Sequence, residues 1–159
     1  MQYRDRIVEE LSALINKGSA HTSFEEAVAG VSLKLLNVIP DHLPYSIWQL
    51  VSHIRIAQWD MLCFCRDKNH QSPAWPEEYW PKAKGHISAE AWEALLKLVR
   101  QDRAEFLKLL ADVQADLFTP FPYGKGQSLF QEALQIADHN AYHTGEIVVI
   151  RRLLGDWKS

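Results

Sequence analysis

Ser128-Leu-Phe-Gln131-Glu132-Ala-Leu-Gln-Ile136-Ala-Asp138-His139-Asn140-Ala-Tyr-His143-Thr-Gly145-Glu146-Ile147-Val-Val-Ile150-Arg-Arg-Leu-Leu-Gly155 holds no proline and reads as one long helix. Ser128 and Gln131 stand in the relation of a capping box, where the serine side chain takes a backbone N–H and the glutamine side chain reaches back. Gly155 is placed to close the far end. At about 100° per residue, Glu132, His139, His143, Glu146 and Ile150 share one face, with Ile136 and Ile147 beside them. His139 and His143, four residues apart, lie one above the other on that face.

Working outward, all seven prolines fall in three places: Pro40 and Pro44; Pro73, Pro76 and Pro81; Pro120 and Pro122. The stretches between them predict further long helices with rigid connections. Helix one is expected over Tyr3–Lys17, with Ile7, Leu11, Leu14 and Ile15 as its apolar stripe and Gly18 as its stop. A short piece follows, capped by the box of Ser23 and Glu26 and ending near Gly30. Helix two is expected over residues 46–66, opened by the box of Ser46 and Gln49. Helix three is expected over 88–113 from Ser88, with Glu90 and Glu93 in an acid-favouring first turn. Helices two to four are each about 20 to 28 residues, roughly 30 to 40 Å long.

No segment alternates apolar and polar residues between hairpin turns, so the chain reads as all-α. Four long helices make a four-helix bundle the natural architecture, and 159 residues suit one domain, 1–159. The loops 67–87, with Trp75, Tyr79 and Trp80, and 118–127, with Phe118, Phe121 and Tyr123, either cap the bundle, line a pocket or form a dimer surface.

A net charge of −3 with no basic stripe argues against nucleic-acid binding. There is no apolar run near 18 residues and no secretory signal, so neither membrane insertion nor export is expected. Cys63 and Cys65 point to nearly opposite sides of a helix, which predicts two free thiols in a reducing cytoplasm.

His53 lies in helix two on a face shared with Ser46, Gln49, Ala57, Asp60 and Phe64. If this third imidazole met His139 and His143, three neutral ligands would leave a coordination position open, the pattern of a catalytic metal site. The spacing alone is equally that of a solvated stripe or a hydrogen-bonded buried pair. His21, His42, His70 and His86 are expected in loops or near helix ends, exposed to solvent. The helix is not of the His-Glu-x-x-His type, because Asn140 follows His139. A general base would therefore come from elsewhere: Asp60 or Glu146, with Asp138 as a group that fixes an imidazole tautomer.

Trp48-Gln-Leu-Val-Ser-His53-Ile-Arg-Ile-Ala-Gln-Trp59-Asp60 and Asp138-His139-Asn-Ala-Tyr-His143-Thr-Gly-Glu146-Ile, followed by Arg151-Arg-Leu-Leu-Gly155, resemble the DinB superfamily of DinB/YfiT-like metalloenzymes. The resemblance covers essentially the whole chain. Ser23-Phe-Glu-Glu26 and Trp75-Pro-Glu-Glu-Tyr-Trp80-Pro81 resemble one branch of it. It implies a four-helix bundle of up-down-down-up topology and a three-histidine site, one ligand on the second helix and two on the last. That pattern maps onto His53, His139 and His143. It also implies a divalent metal, nickel or zinc, a homodimer, and relatives that are transferases or isomerases using low-molecular-weight thiols such as bacillithiol or mycothiol.

Three readings stay open on the sequence. The first is a metal-dependent enzyme acting on a small molecule, by thiol transfer or by hydrolysis. The second is a non-catalytic metal-binding or stress-related interaction protein, which predicts no pocket beside the metal. The third is a plain helical dimer without metal, which predicts His53 far from His139.

Overall fold

Serine caps and proline breaks set the helix boundaries. The computed structural model describes residues 3–82 and 85–157. Within them lie α1 (Tyr3–Lys17), α2 (Phe24–Val28), α3 (Ile47–Arg66), α4 (Ala89–Ala111) and α5 (Leu129–Leu153). A single 3-10 turn spans Leu33–Leu35, and no strand occurs among the described residues. The chain is all-α.

Two of the three expected capping boxes form in full, at Ser23 with Glu26 and at Ser46 with Gln49. At α5 only half forms: the Ser128 hydroxyl accepts the Gln131 N–H at 3.3 Å, without the return bond from the glutamine side chain. Ser88 caps α4 through the Ala91 N–H. That helix stops at Ala111 rather than Val113, because Asp112 turns the chain by accepting the Gln114 N–H on its own carboxylate. Gly18 and Gly155 close α1 and α5 at φ +70° and +69°, a region that costs other residues strain.

α3 packs against both α4 and α5, α1 against α5 and α4, and α2 against α5. Residue numbers rise together along α3 and α4: Trp48 meets Trp92 at one end, and Arg66 pairs with Glu105 at 2.7 Å at the other. Along α3 and α5 the order reverses, since His53 meets His143 while Gln58 meets Asn140. Arg4, at the start of α1, donates to the Asp112 carbonyl just past the end of α4. The short α2 is tied down by two buried arginines. Arg151 donates to the Ala27 and Ala29 carbonyls at 2.9 Å, and Arg103 donates to Glu25 at 2.6 Å.

The apolar core falls into two clusters. One gathers Leu36, Ile47, Leu50, Val51, Ile54, Trp92, Val99, Ile147 and Ile150; the other gathers Leu11, Ile15, Leu62, Phe106, Leu110, Leu129 and Ile136. Each fully buried side chain of this size contributes roughly 1.5–3 kcal/mol. Of the stripe expected on α1, Leu11 and Ile15 are buried and Leu14 is exposed. Neither cluster draws a residue from 55–60 on α3 or from 138–146 on α5. The polar residues of the two predicted motifs occupy that break.

Candidate metal centre

His53 is 2% exposed on α3, and His143 is 7% exposed on α5. His139, one turn before His143, completes the group. One ring nitrogen of each of the three lies within 4.8 Å of the others. His53 Nε2 and His139 Nε2 are 3.0 Å apart. The helical dimer without metal, which placed His53 far from His139, is not the structure adopted.

The other ring nitrogens fix which atoms face inward. His53 Nδ1 is 3.0 Å from the Tyr79 carbonyl, which can only accept, so the proton sits on Nδ1. His143 Nδ1 donates to Glu146 Oε2 at 2.6 Å. His139 Nδ1 faces Asn140 Oδ1 at 3.4 Å. The orientation of that amide is itself set: Asn140 Nδ2 donates to Gln58 Oε1 at 3.0 Å, and Gln58 Nε2 donates to the Val99 carbonyl of α4 at 2.9 Å. All three Nδ1 atoms thus meet acceptors, and the Nε2 atoms of His53 and His139 are left as lone pairs turned toward one another.

Burial, reinforced by the neighbouring imidazoles, pushes His53 and His139 down to about 4, so both are neutral at pH 7. Two lone pairs 3.0 Å apart repel unless a cation or proton lies between them. Two nitrogens bound at about 2.1 Å to one tetrahedral divalent ion stand about 3.4 Å apart. The donor type, tautomers and spacing therefore fit a divalent metal, and the group could hold one.

Trp80 packs over the site. Its ring stacks on His53 at 3.7 Å and on Tyr45 at 3.7 Å from the other side, a column that holds the imidazole in its plane. The loop carrying Trp80 is also held by Gln49 Nε2 on the Pro81 carbonyl at 3.0 Å.

Beside the three imidazoles opens a cavity of about 550 Å³, lined further by Asp60, Met61, Phe64, Trp75, Tyr79 and Glu132. Asp60 accepts from His70 Nε2 at 2.6 Å and from the Tyr79 hydroxyl at 2.5 Å. Burial and that carboxylate together raise the Tyr79 phenol well above its usual range, so it stays protonated. Of the two long loops, 67–87 lines the cavity through Trp75, Tyr79 and Trp80, and 118–127 lines it through Gln127 and supports it by packing Phe121 and Tyr123 on Phe64.

Several expectations change here. His70 is not solvent-exposed: its side chain is 10% exposed and serves Asp60, whereas His21, His42 and His86 are exposed. Asp138 is exposed and does not fix His139; Asn140 does. Glu146 orients His143 rather than facing the cavity. Gln58 joins the site although nothing in its spacing along the chain marks a buried glutamine. Cys63 and Cys65 are free, as expected. No helix among the described residues is long and apolar enough to cross a membrane.

A family model for the DinB superfamily matches residues 18–147, a span that holds all three histidines. No curated protein and no solved structure matches the chain. The chain belongs to the DinB superfamily.

Proposed function

We propose that this DinB-superfamily protein is a divalent-metal-dependent enzyme in which His53, His139 and His143 are the metal ligands, and that it transfers a low-molecular-weight thiol to or from a small molecule. The observation that carries the reading is the common arrangement: three imidazoles with Nδ1 on an acceptor and ring nitrogens gathered within 4.8 Å of one another at the edge of a cavity. Nickel or zinc suits such a nitrogen site.

A divalent ion held there would lower the pKa of a thiol or water and so supply a nucleophile at neutral pH. The chain's own residues do the rest. Gln58 and Asn140 hold His139, Glu146 holds His143, and the Tyr79 carbonyl with Trp80 holds His53. Asp60, held by His70 and the Tyr79 hydroxyl, sets a fixed carboxylate on the cavity wall two turns of α3 from His53, where the substrate lies. Phe64 and Trp75 give the cavity an apolar wall for the body of the substrate.

The cavity favours an enzyme over a non-catalytic metal protein, which needs no pocket beside its ion. Hydrolysis is the alternative reaction at the same site. Incubating metal-loaded protein with electrophilic small molecules, with and without added thiol, separates the two. Turnover that requires the thiol supports transfer; turnover without it assigns hydrolysis; no turnover with either, at full metal content, contradicts the enzyme reading.

The helix directions support an up-down-down-up bundle for α1, α3, α4 and α5. Free Cys63 and Cys65 support a cytoplasmic site of action. Exposed Tyr142, Val149 and Leu153 along α5 support a homodimer.

A further inference from the structure

Glu132 is 4% exposed, and its carboxyl, an acid inside the fold, has no hydrogen-bond partner among the described residues; only its backbone N–H is paired, to the Ser128 carbonyl. No buried side-chain nitrogen or oxygen among the described residues is both sealed from solvent and unpartnered. The Glu132 oxygens therefore open onto the cavity that Glu132 lines, and what satisfies them must come from there.

The position is defined by register. Glu132 lies seven residues before His139 on α5, and Asp60 lies seven after His53 on α3. The helices run in opposite directions, so the two acids face each other about 10 Å along the axis from the imidazoles. One end of the cavity carries the three imidazoles, the other two carboxyls. No lysine or arginine is among the described residues lining it. Asp60 already has two donors, His70 and Tyr79; Glu132 has none.

We infer that the acid end of the cavity recognises a protonated amine on the substrate, held by Glu132 with Asp60 behind it. This rests on the reading of the cavity as the substrate site. An ammonium supplies both the donors that Glu132 lacks and the charge that two facing carboxyls favour. An anionic group at that end would meet like charge. Burial, with the Asp60 charge added, raises the Glu132 carboxyl to about 7 when no cation is beside it, and a bound ammonium would bring it back down. Between the two ends, Phe64, Met61 and Trp75 offer an apolar wall. The substrate class is thus a small amine with an apolar or aromatic body.

The test is calorimetric titration of the full-length protein, as purified and again after chelation, with phenethylamine and with 2-phenylethanol. The amine is expected to bind at least about tenfold more tightly than the alcohol in both forms, as a charged hydrogen bond requires. In Glu132→Gln the ratio is expected to fall to about one. Equal affinity of amine and alcohol in the wild type would overturn the proposal without any variant. So would a preference that survives in Glu132→Gln, or one that vanishes on chelation and so belongs to the histidine end. Because the chelated protein also reads the ratio, a failure of the metal reading leaves this result legible.

Discussion

Gln58 and Asn140 meet amide to amide, Asn140 Nδ2 donating to Gln58 Oε1 at 3.0 Å. Gln58 is 1% exposed, and its own Nε2 is spent on the Val99 carbonyl. A backbone atom of α4 thereby sets the tautomer of His139 through two side chains. Gln58→Leu keeps the volume and removes the relay. It should weaken metal affinity by about 10–100-fold and cost about 1–3 kcal/mol of stability, since Asn140 is left without its partner. Chelator competition and denaturant unfolding measure the two effects. Unchanged affinity would mean that the relay does not govern His139.

Trp80 stands between Tyr45 and His53, with near-parallel rings on both sides. Trp80→Ala removes both contacts and should weaken metal binding by about tenfold, at about 0.5–1.5 kcal/mol per aromatic contact. Trp80→Phe should recover most of that loss. Metal titration followed by tryptophan fluorescence is the readout in the wild type, with chelator competition for the variants.

Glu132 makes stability depend on pH in a calculable direction. It holds its proton in the folded state to about 7, against an ordinary value of 4.5. Below the ordinary value both states are protonated and the group costs nothing. Between the two values unfolding releases a proton, so stability falls as pH rises, and the full penalty applies above the folded value. In metal-free protein, Glu132→Gln should therefore match the wild type near pH 4 and exceed it by about 3 kcal/mol near pH 8. Urea midpoints at the two pH values check this. A variant less stable than the wild type at the higher pH would show that Glu132 has a favourable partner.

Asp60 is placed to face the substrate, not to hold metal. Asp60→Asn should keep the metal content of the wild type while kcat/KM falls by about tenfold or more. Because His70 and Tyr79 both donate to it, a smaller loss of stability is also expected. Loss of metal in this variant would assign Asp60 to the ion.

Much of this architecture was legible in the chain. Serine caps, glycine stops and proline clusters carry local instructions, so α1, α3, α4 and α5 begin and end within a residue or two of their expected bounds. The i,i+4 pair His139 and His143 and the face shared by His53 and Asp60 follow from helical period alone. Contacts between elements were less accessible. Gln58, Asn140 and Val99 lie on three different elements, and no sequence spacing records that they touch. His70 departs from its expected exposure for the same reason: a loop histidine is buried only because α3 brings Asp60 beneath it. Asp138 looked suited to fix His139, yet the helix turns it outward and offers Asn140 instead.

The central claim is that the three imidazoles hold a metal. Elemental analysis of untagged protein beside His143→Ala tests it most directly. About one equivalent of divalent metal in the wild type, lost in the variant, is the predicted result. No metal in the wild type even after reloading with zinc or nickel, or the same content in His143→Ala, would contradict it.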